Sequence, residues 1–216
     1  MHYKRLLALA GALTLAAAMP AAATATKVSV RIEGKRKTLL TTTTVQTRSG
    51  SVRIGGQSCA SSAAAAVGLA THNAWGGKWF SFGFEVTRIL GETDNYSTTN
   101  SYWELFVDNV AAQSGICDVK VHPGEQLLFA AVPAAGTEYP LELNAPSHAG
   151  IGTAFTVTVK GFDAHGKAKP LAGATVDGHK TDSHGATTVT LASAGKTTLT
   201  ATAKGYIRAE AQVRVS

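Results

Sequence analysis

Residues 27–34, KVSVRIEG, alternate apolar and polar side chains. The two valines and the isoleucine fall on one face of an extended chain, and the serine, arginine and glutamate fall on the other. A glycine ends the run. The pattern predicts a β-strand with one buried and one solvent-facing side.

One helix is predicted among the segments that follow. Residues 38–47 are rich in β-branched threonine, which favours a second strand. Residues 58–71 contain four consecutive alanines and have strong helix propensity. Ser58, Ser61 and Ser62 are the candidate N-caps, and Asn73 suits the exit.

Aromatic residues dominate the next segments. Residues 75–79, WGGKW, are predicted as a loop. A strand is predicted to follow, with one inward row that comprises Phe80, Phe82, Phe84 and Val86. Further strands are expected at 102–107, before an Asp-Asn turn, and at 127–132. We expect the loops at 72–79 and 91–102 to carry any ligand or partner.

The composition shifts at residues 133–140. Beyond this point the chain has short alternating segments separated by glycine, and no helix pattern. This arrangement predicts a small β-sandwich. Its inward rows are Phe155, Val157 and Val159; Ala174 and Val176; Val189 and Leu191; Leu199, Ala201 and Ala203; and Ala211, Val213 and Val215.

The first 25 residues have the pattern of a secretory signal. Lys4 and Arg5 precede a 13-residue apolar run, and small residues follow Pro20. The run is too short to span a bilayer as a helix, although an uncleaved membrane anchor is the alternative. No later segment is long enough to cross a membrane. The expected location is therefore secreted, extracellular or periplasmic.

The charge of the remaining chain is modest and dispersed. Without residues 1–25 the chain has 191 residues, and the net charge falls from +6 to +4 because Lys4 and Arg5 are removed. Nucleic-acid binding requires a basic stripe with neighbouring aromatic residues, and the densest basic group is only the triplet at 35–37. No nucleic-acid partner is expected.

The two cysteines, Cys59 and Cys117, are predicted to form a disulfide. An even count in an exported chain favours pairing. The alternatives are a metal pair or a thiol nucleophile, but metal pairs usually have close spacing such as C-x-x-C.

The first half of the chain resembles the transcobalamin C-terminal-like domain of bacterial surface and secreted proteins. The motifs are VSVRIEG at 28–34, WxxxW at 75–79, IxGE at 89–92, YW at 102–103, FVDN at 106–109, GIC at 115–117 and HPGE at 122–125. The resemblance implies a compact, β-grasp-like fold with one helix over residues 26–135. It also implies a remote relation to vitamin B12 carriers.

The second half resembles bacterial immunoglobulin-like, or carboxypeptidase-regulatory-like, repeats. The motifs are LAGATV at 171–176, TDSHG at 181–185, the stretch from Ala194 to Ala203, and KGY at 204–206. The resemblance implies an immunoglobulin-like β-sandwich over residues 136–216. It says little about function.

Four aromatic residues form the candidate ligand site: Trp75, Trp79, Tyr102 and Trp103. Such rings can make a stacking platform for a sugar or a corrin ring. The alternative is that Trp79 and Trp103 are core residues whose indole N–H groups bond to backbone. Trp75 remains open between the two interpretations.

No catalytic or metal site is predicted. The chain lacks G-x-S-x-G, H-E-x-x-H and phosphate-loop motifs. Three Asp-x-His pairs, at 163–165, 177–179 and 182–184, could suggest a metal, but these residues are also ordinary turn formers. No cofactor is expected.

The function predicted from sequence is that of an exported, non-enzymatic binding or adhesion module. Its partner would be a protein or glycan at the bacterial cell surface. The alternative is a carrier of a small ligand, cobalamin-like or glycan, that uses the aromatic residues of the first domain.

Overall fold

The described part of the chain is mostly β, as predicted. A computed structural model describes residues 25–47, 51–59 and 61–216. The predicted signal therefore lies outside the described residues, apart from Ala25. Across the described ranges, no helix is both long and apolar enough to cross a membrane.

We call residues 25–133 the N-terminal region and residues 139–216 the C-terminal region. The helices are α1 Ser62–Ala70 and α2 Tyr96–Thr99, with a 3₁₀ turn at Ile116–Asp118. The N-terminal strands are β1 Thr26–Glu33, β2 Thr38–Thr47, β3 Val52–Ile54, β4 Gln57–Cys59, β5 Trp75–Phe80, β6 Gly83–Ile89, β7 Glu92–Thr93, β8 Ser101–Val107, β9 Val110–Ala111 and β10 Gln126–Pro133. The C-terminal strands are β11 Tyr139–Asn144, β12 His148–Ala149, β13 Ala154–Phe162, β14 Ala168–Pro170, β15 Thr175–Val176, β16 His179–Lys180, β17 Ala186–Thr190, β18 Gly195–Thr202, β19 Tyr206–Ile207 and β20 Ala209–Val215.

The N-terminal region is built on a five-stranded sheet with the order β2-β1-β10-β8-β9. β1 runs parallel to β10, with Ile32 opposite Phe129, and the other neighbours are antiparallel. The predicted strands at 27–34, 38–47, 102–107 and 127–132 are confirmed. The predicted turn at Asp108 and Asn109 is confirmed as well, since both residues have positive φ angles of 47° and 67°.

Both faces of the central sheet are covered. Leu127 and Phe129 of β10 belong to the core that includes α1, whereas Leu128 and Val132 pack with Ile207 of the C-terminal region. A strand covered on both sides favours apolar residues at successive positions. This explains the unbroken run LLFAAV at 127–132.

The predicted helix is confirmed, and it begins after Ser61, one of the three candidate N-caps. Ser61 caps α1, because its Oγ accepts hydrogen bonds from the amides of Ala63 at 3.1 Å and Ala64 at 3.4 Å. The predicted disulfide is confirmed: Cys59 and Cys117 are joined with their Cα atoms 4.8 Å apart. It ties the end of β4 to the 3₁₀ turn.

The prediction of a loop at 75–79 is wrong. These residues form β5, which pairs with β6 and carries a bulge between Gly76 and Gly77. The expected inward row is wrong for two of its members as well. Phe80 and Phe82 lie at the exposed end of the hairpin with their rings stacked 5.1 Å apart, and only Phe84 and Val86 are buried.

Two sheets of the C-terminal region share one core. The first has the order β14-β13-β11-β19, with β17 also paired to β13, and the second has the order β12-β20-β18-β15-β16. Val157 and Val159 of the first sheet meet Val176, Leu199 and Val213 of the second. All five belong to the predicted inward rows, which confirms those strand faces.

Candidate functional site

The groove around Trp75 is the strongest candidate site in the described part of the chain. It has a volume of about 340 Å³ and lies between the β3–β4 hairpin, β5 and the turn after α1. Small-molecule sites usually occupy roughly 300 to 1,000 Å³. We call it the Trp75 groove; the residues used below are Arg53, Asn73, Trp75, Gly76, Gly77 and Arg88.

Trp75 is half-buried and held by its neighbours. Its ring packs edge to face on Phe84, with centroids 6.0 Å apart and an interplanar angle of 87°. The indole Nε1 lies 3.5 Å from the position that a Cβ of Gly68 would occupy. The ring is therefore placed by one strand and one helix, yet part of it remains open to the groove.

Asn73 lies in the turn between α1 and β5. Its φ of 61° is in the left-handed region, which asparagine tolerates better than most residues. Its amide donates to the carbonyl of Gly68 at 2.7 Å and so closes the end of the helix. The turn leaves the Asn73 side chain exposed at the groove.

Two glycines leave one wall of the groove without side chains. A Cβ on Gly76 would meet nothing within 4 Å, so the backbone there is open. A Cβ on Gly77 would lie 1.8 Å from the carbonyl oxygen of Glu85, so only glycine permits the approach of β5 to β6. A ligand can therefore reach the backbone at this point.

Positive charge is concentrated at the same groove. Arg53 and Arg88 are both exposed, and neither forms an ion pair with a carboxylate in the described ranges. One contact of Arg53 is a long hydrogen bond of 3.4 Å from Nη1 to the carbonyl of Gly56. The described groove lining contains no acidic residue.

The structure does not bring the four predicted aromatic site residues together in one site. Trp79 lies beside Trp75 on β5, but its Nε1 donates to the carbonyl of Ile54 at 2.8 Å and its ring packs on Phe84. Trp103 is only 7% exposed in the core, and its Nε1 has no hydrogen-bond partner among the described residues. Tyr102 belongs to the opposite face of β8. Of the four, Trp75 alone lines the groove.

A buried ionic network joins the two regions. The Glu33 carboxylate lies 3.6 Å from Arg31 Nε and 3.2 Å from Arg208 Nε, and it accepts a hydrogen bond of 2.8 Å from Thr38 Oγ1. Arg208 also donates to the carbonyl of Gly34 at 2.5 Å. We call Arg31, Glu33, Thr38 and Arg208 the Glu33 network.

The sequence predicts that the face of β1 with Arg31 and Glu33 meets solvent. This prediction is wrong, because the C-terminal region covers that face. Glu33 is only 1% exposed, and burial raises its pKa to about 7, against the opposing effect of Arg31. Burial also lowers the pKa of the Arg31 guanidinium. The sequence does not reveal that β1 contacts the C-terminal region, because charged residues such as Arg31 and Glu33 are also usual on exposed strand faces.

The stretch at 91–102 is held by its own polar contacts. Buried Asp94 accepts a hydrogen bond from Ser101 at 2.6 Å and pairs with Lys35 at 3.1 Å. Asn95 caps α2 by accepting from the amide of Thr98 at 2.9 Å. These contacts order the stretch but form no groove with Trp75.

Two of the three Asp-x-His pairs lie in turns, and the third begins at the turn residue Asp177 and ends at His179 in β16. Asp163 accepts from the amides of His165 and Lys167 at 2.9 and 3.0 Å, and Asp182 makes the same contacts with His184 and Ala186. These backbone hydrogen bonds lower the pKa of both carboxyl groups. Over the residues described, no group of three His, Cys, Asp or Glu is arranged to hold a metal.

Comparison with known proteins identifies no family. No family model matches the chain, and no curated protein matches it. One solved structure with some similarity is that of a provisionally assigned metal-binding protein from Ruminococcus gnavus ATCC 29149, with 13% identity and a TM-score of 0.36. The match covers 50% of this chain and 97% of that one. Similarity at this level leaves fold and function to be argued from the residues themselves.

Proposed function

We propose that this chain is an exported, non-enzymatic binding module that holds a glycan of the cell surface in the Trp75 groove. The observation that carries the proposal is the groove itself, where a half-exposed indole lies near a wall of glycine backbone and two arginines that have no carboxylate partner among the described residues. An indole packs against the apolar face of a sugar ring, and Arg and Asn donate hydrogen bonds to its oxygens.

The chemistry of the side chains supports binding over catalysis. The groove offers an indole, an amide and two guanidinium groups, which donate hydrogen bonds and so orient a ligand. A groove of about 340 Å³ is near the lower end for ligand sites, which suits one or two sugar rings better than a corrin macrocycle.

We further propose a β-grasp-like fold for the N-terminal region and an immunoglobulin-like sandwich for the C-terminal region, with the boundary near residues 135–136. The parallel pairing of β1 with β10 beside α1 supports the first, and the two sheets around one core support the second. Export is supported by the leader pattern and by the disulfide, which persists in oxidising compartments.

Ligand titration tests the proposed function. Tryptophan fluorescence and calorimetry would be recorded with the mature chain against oligosaccharides, cobalamin and haem. We expect a saturable response to an oligosaccharide, with the fluorescence signal reduced in Trp75→Phe. Silence toward every oligosaccharide by both methods would refute the proposal, and a response to cobalamin or haem alone would favour the carrier alternative.

A further inference from the structure

We infer that the saccharide bound in the Trp75 groove is acidic, with a carboxylate or a sulfate on its ring. This inference rests on the proposed function and names the chemical class of its ligand. It is carried by two features that meet in one groove: unpaired positive charge and a partly exposed aromatic ring.

The charge argument compares the arginines of the groove with those of the Glu33 network. Arg31 and Arg208 both contact the Glu33 carboxylate, within 3.6 Å. Arg53 and Arg88 have no such partner among the described residues, and the described lining supplies no acid. A guanidinium fork matches a carboxylate or sulfate through two parallel hydrogen bonds. An anionic group on the ligand would complement both arginines.

The aromatic argument excludes a simple anion. A free phosphate or sulfate would use the arginines but leave the exposed part of the Trp75 ring uncovered. A neutral sugar would cover the ring and accept hydrogen bonds from the arginines, but it would leave the positive charge of the two guanidinium groups without a counter-charge. A sugar ring with an acidic substituent uses both, and the absence of a Cβ on Gly76 leaves room for it beside the backbone.

Acidic and neutral oligosaccharides of the same length test whether the charge of the ligand raises its affinity for the groove. Calorimetry on the mature chain would compare a galacturonic acid tetramer with a neutral galactose tetramer, and a sulfated galactose oligomer would distinguish the two acidic groups. We expect an acidic probe to bind at least about tenfold more tightly than the neutral one, because hydrogen bonds to charged groups are the stronger class. At least one of the two acidic probes must show this preference.

Substitutions of the two arginines test whether the preference for acidic probes arises in the Trp75 groove. Arg53→Gln and Arg88→Gln should each weaken acidic-probe binding about fivefold, as expected for loss of a charge-assisted hydrogen bond at an exposed site. Lys78→Gln is the matched control, because Lys78 is exposed on the same hairpin and does not line the groove. Raising ionic strength from about 0.01 M to about 1 M, where the Debye length falls from about 30 Å to about 3 Å, should weaken acidic binding but not neutral binding.

The outcomes distinguish this inference from the function on which it rests. Equal affinity for neutral and acidic tetramers would overturn the inference and leave the proposed function standing. Absence of binding to any saccharide would overturn both. An equal loss in Lys78→Gln and in the two arginine variants would also overturn the inference, because it would indicate general attraction to a basic surface.

Discussion

At the scale of single residues, Gly68 controls the shape of the Trp75 groove. It is buried in α1, and a Cβ at this position would lie 2.9 Å from Asn73 Oδ1 and 3.5 Å from Trp75 Nε1. The Asn73 side chain must move if Gly68 is replaced by a larger residue. The groove therefore depends on a residue that does not line it.

We predict that Gly68→Ala weakens saccharide binding about fivefold, the size of one lost hydrogen bond. The free energy of unfolding should change by less than about 1 kcal/mol, because the higher helix propensity of alanine offsets the displacement. Calorimetry and chemical denaturation measure the two effects. Leu69→Ala, at an exposed neighbour, should leave binding unchanged; an unaltered affinity in Gly68→Ala would contradict the prediction.

At the scale of elements, the β5–β6 hairpin shows how a local pattern can mislead. Two consecutive glycines between tryptophans have the composition of a loop, and the sequence favoured that interpretation. The hairpin can form because glycine at position 77 has no side chain to clash with the carbonyl of Glu85. Glycine is required there by a partner strand, which the local sequence does not reveal.

We predict that Gly77→Ala destabilises the protein by about 2 kcal/mol or more, as overpacking against backbone does. Gly76→Ala is the control, since its Cβ would meet nothing within 4 Å. Thermal and denaturant unfolding of the two variants should differ clearly. Equal stability of both variants would show that the close approach at Gly77 is not a constraint.

The disulfide acts at the same scale, because it fixes β4 to the 3₁₀ turn across 58 residues. We predict that the double substitution Cys59→Ser and Cys117→Ser lowers the free energy of unfolding by up to about 4 kcal/mol, from the entropy of the closed loop. Unfolding of the oxidised, reduced and double-variant proteins measures this. Peptide mapping without reduction should recover the linked pair, and two free thiols would contradict the assignment.

At the scale of the whole molecule, Arg208 couples the C-terminal region to β1. Its contacts with Glu33 and with the carbonyl of Gly34 join residues 174 or more positions apart. We predict that Arg208→Gln destabilises the protein by about 3 kcal/mol, since it leaves a buried carboxylate with one arginine fewer. Lys160→Gln is the control: its ion pair with Glu142 is exposed, and its loss should cost under about 1 kcal/mol. Similar unfolding curves for the two variants would contradict the coupling.

The Glu33 network also predicts a pH dependence. Burial raises the pKa of Glu33 from 4.5 to about 7 in the folded protein, so the folded state holds this proton more tightly than the unfolded state. The resulting stability is fully present below pH 4.5 and is lost as the pH rises through about 7. Each unit of difference between the folded and unfolded pKa corresponds to about 1.4 kcal/mol, so the proton on Glu33 adds about 3 kcal/mol to the free energy of unfolding at low pH.

We therefore predict that the melting temperature declines between pH 5 and pH 8, and that Glu33→Gln removes this part of the decline. The difference between the two pH profiles isolates the contribution of Glu33 from those of the other ionisable groups. Glu125→Gln, which alters a surface pair with His122, should retain the wild-type profile. A Glu33→Gln profile parallel to the wild type would refute the assignment.

The sequence by itself determined the features that depend on near neighbours in the chain. The alternation in β1, a serine N-cap before α1, and the left-handed turn at Asp108 and Asn109 each involve interactions within a few residues, so their patterns are legible locally. The structure then selected Ser61 from the three candidate serines. The cysteine count was sufficient for the disulfide because only one intramolecular pairing exists.

Only the tertiary structure decided which surfaces are covered and which residues meet. The alternation of strand side chains already places Tyr102 and Trp103 on opposite faces of β8, but only the packing of the two regions decided that both faces are covered. Arg53 lines the same groove as Trp75 and Arg88 because one hairpin packs near another, and Arg208 meets Glu33 through the packing of two regions. Contacts between distant segments arise from how the folded surfaces fit together, and no periodicity or spacing along the chain encodes that fit.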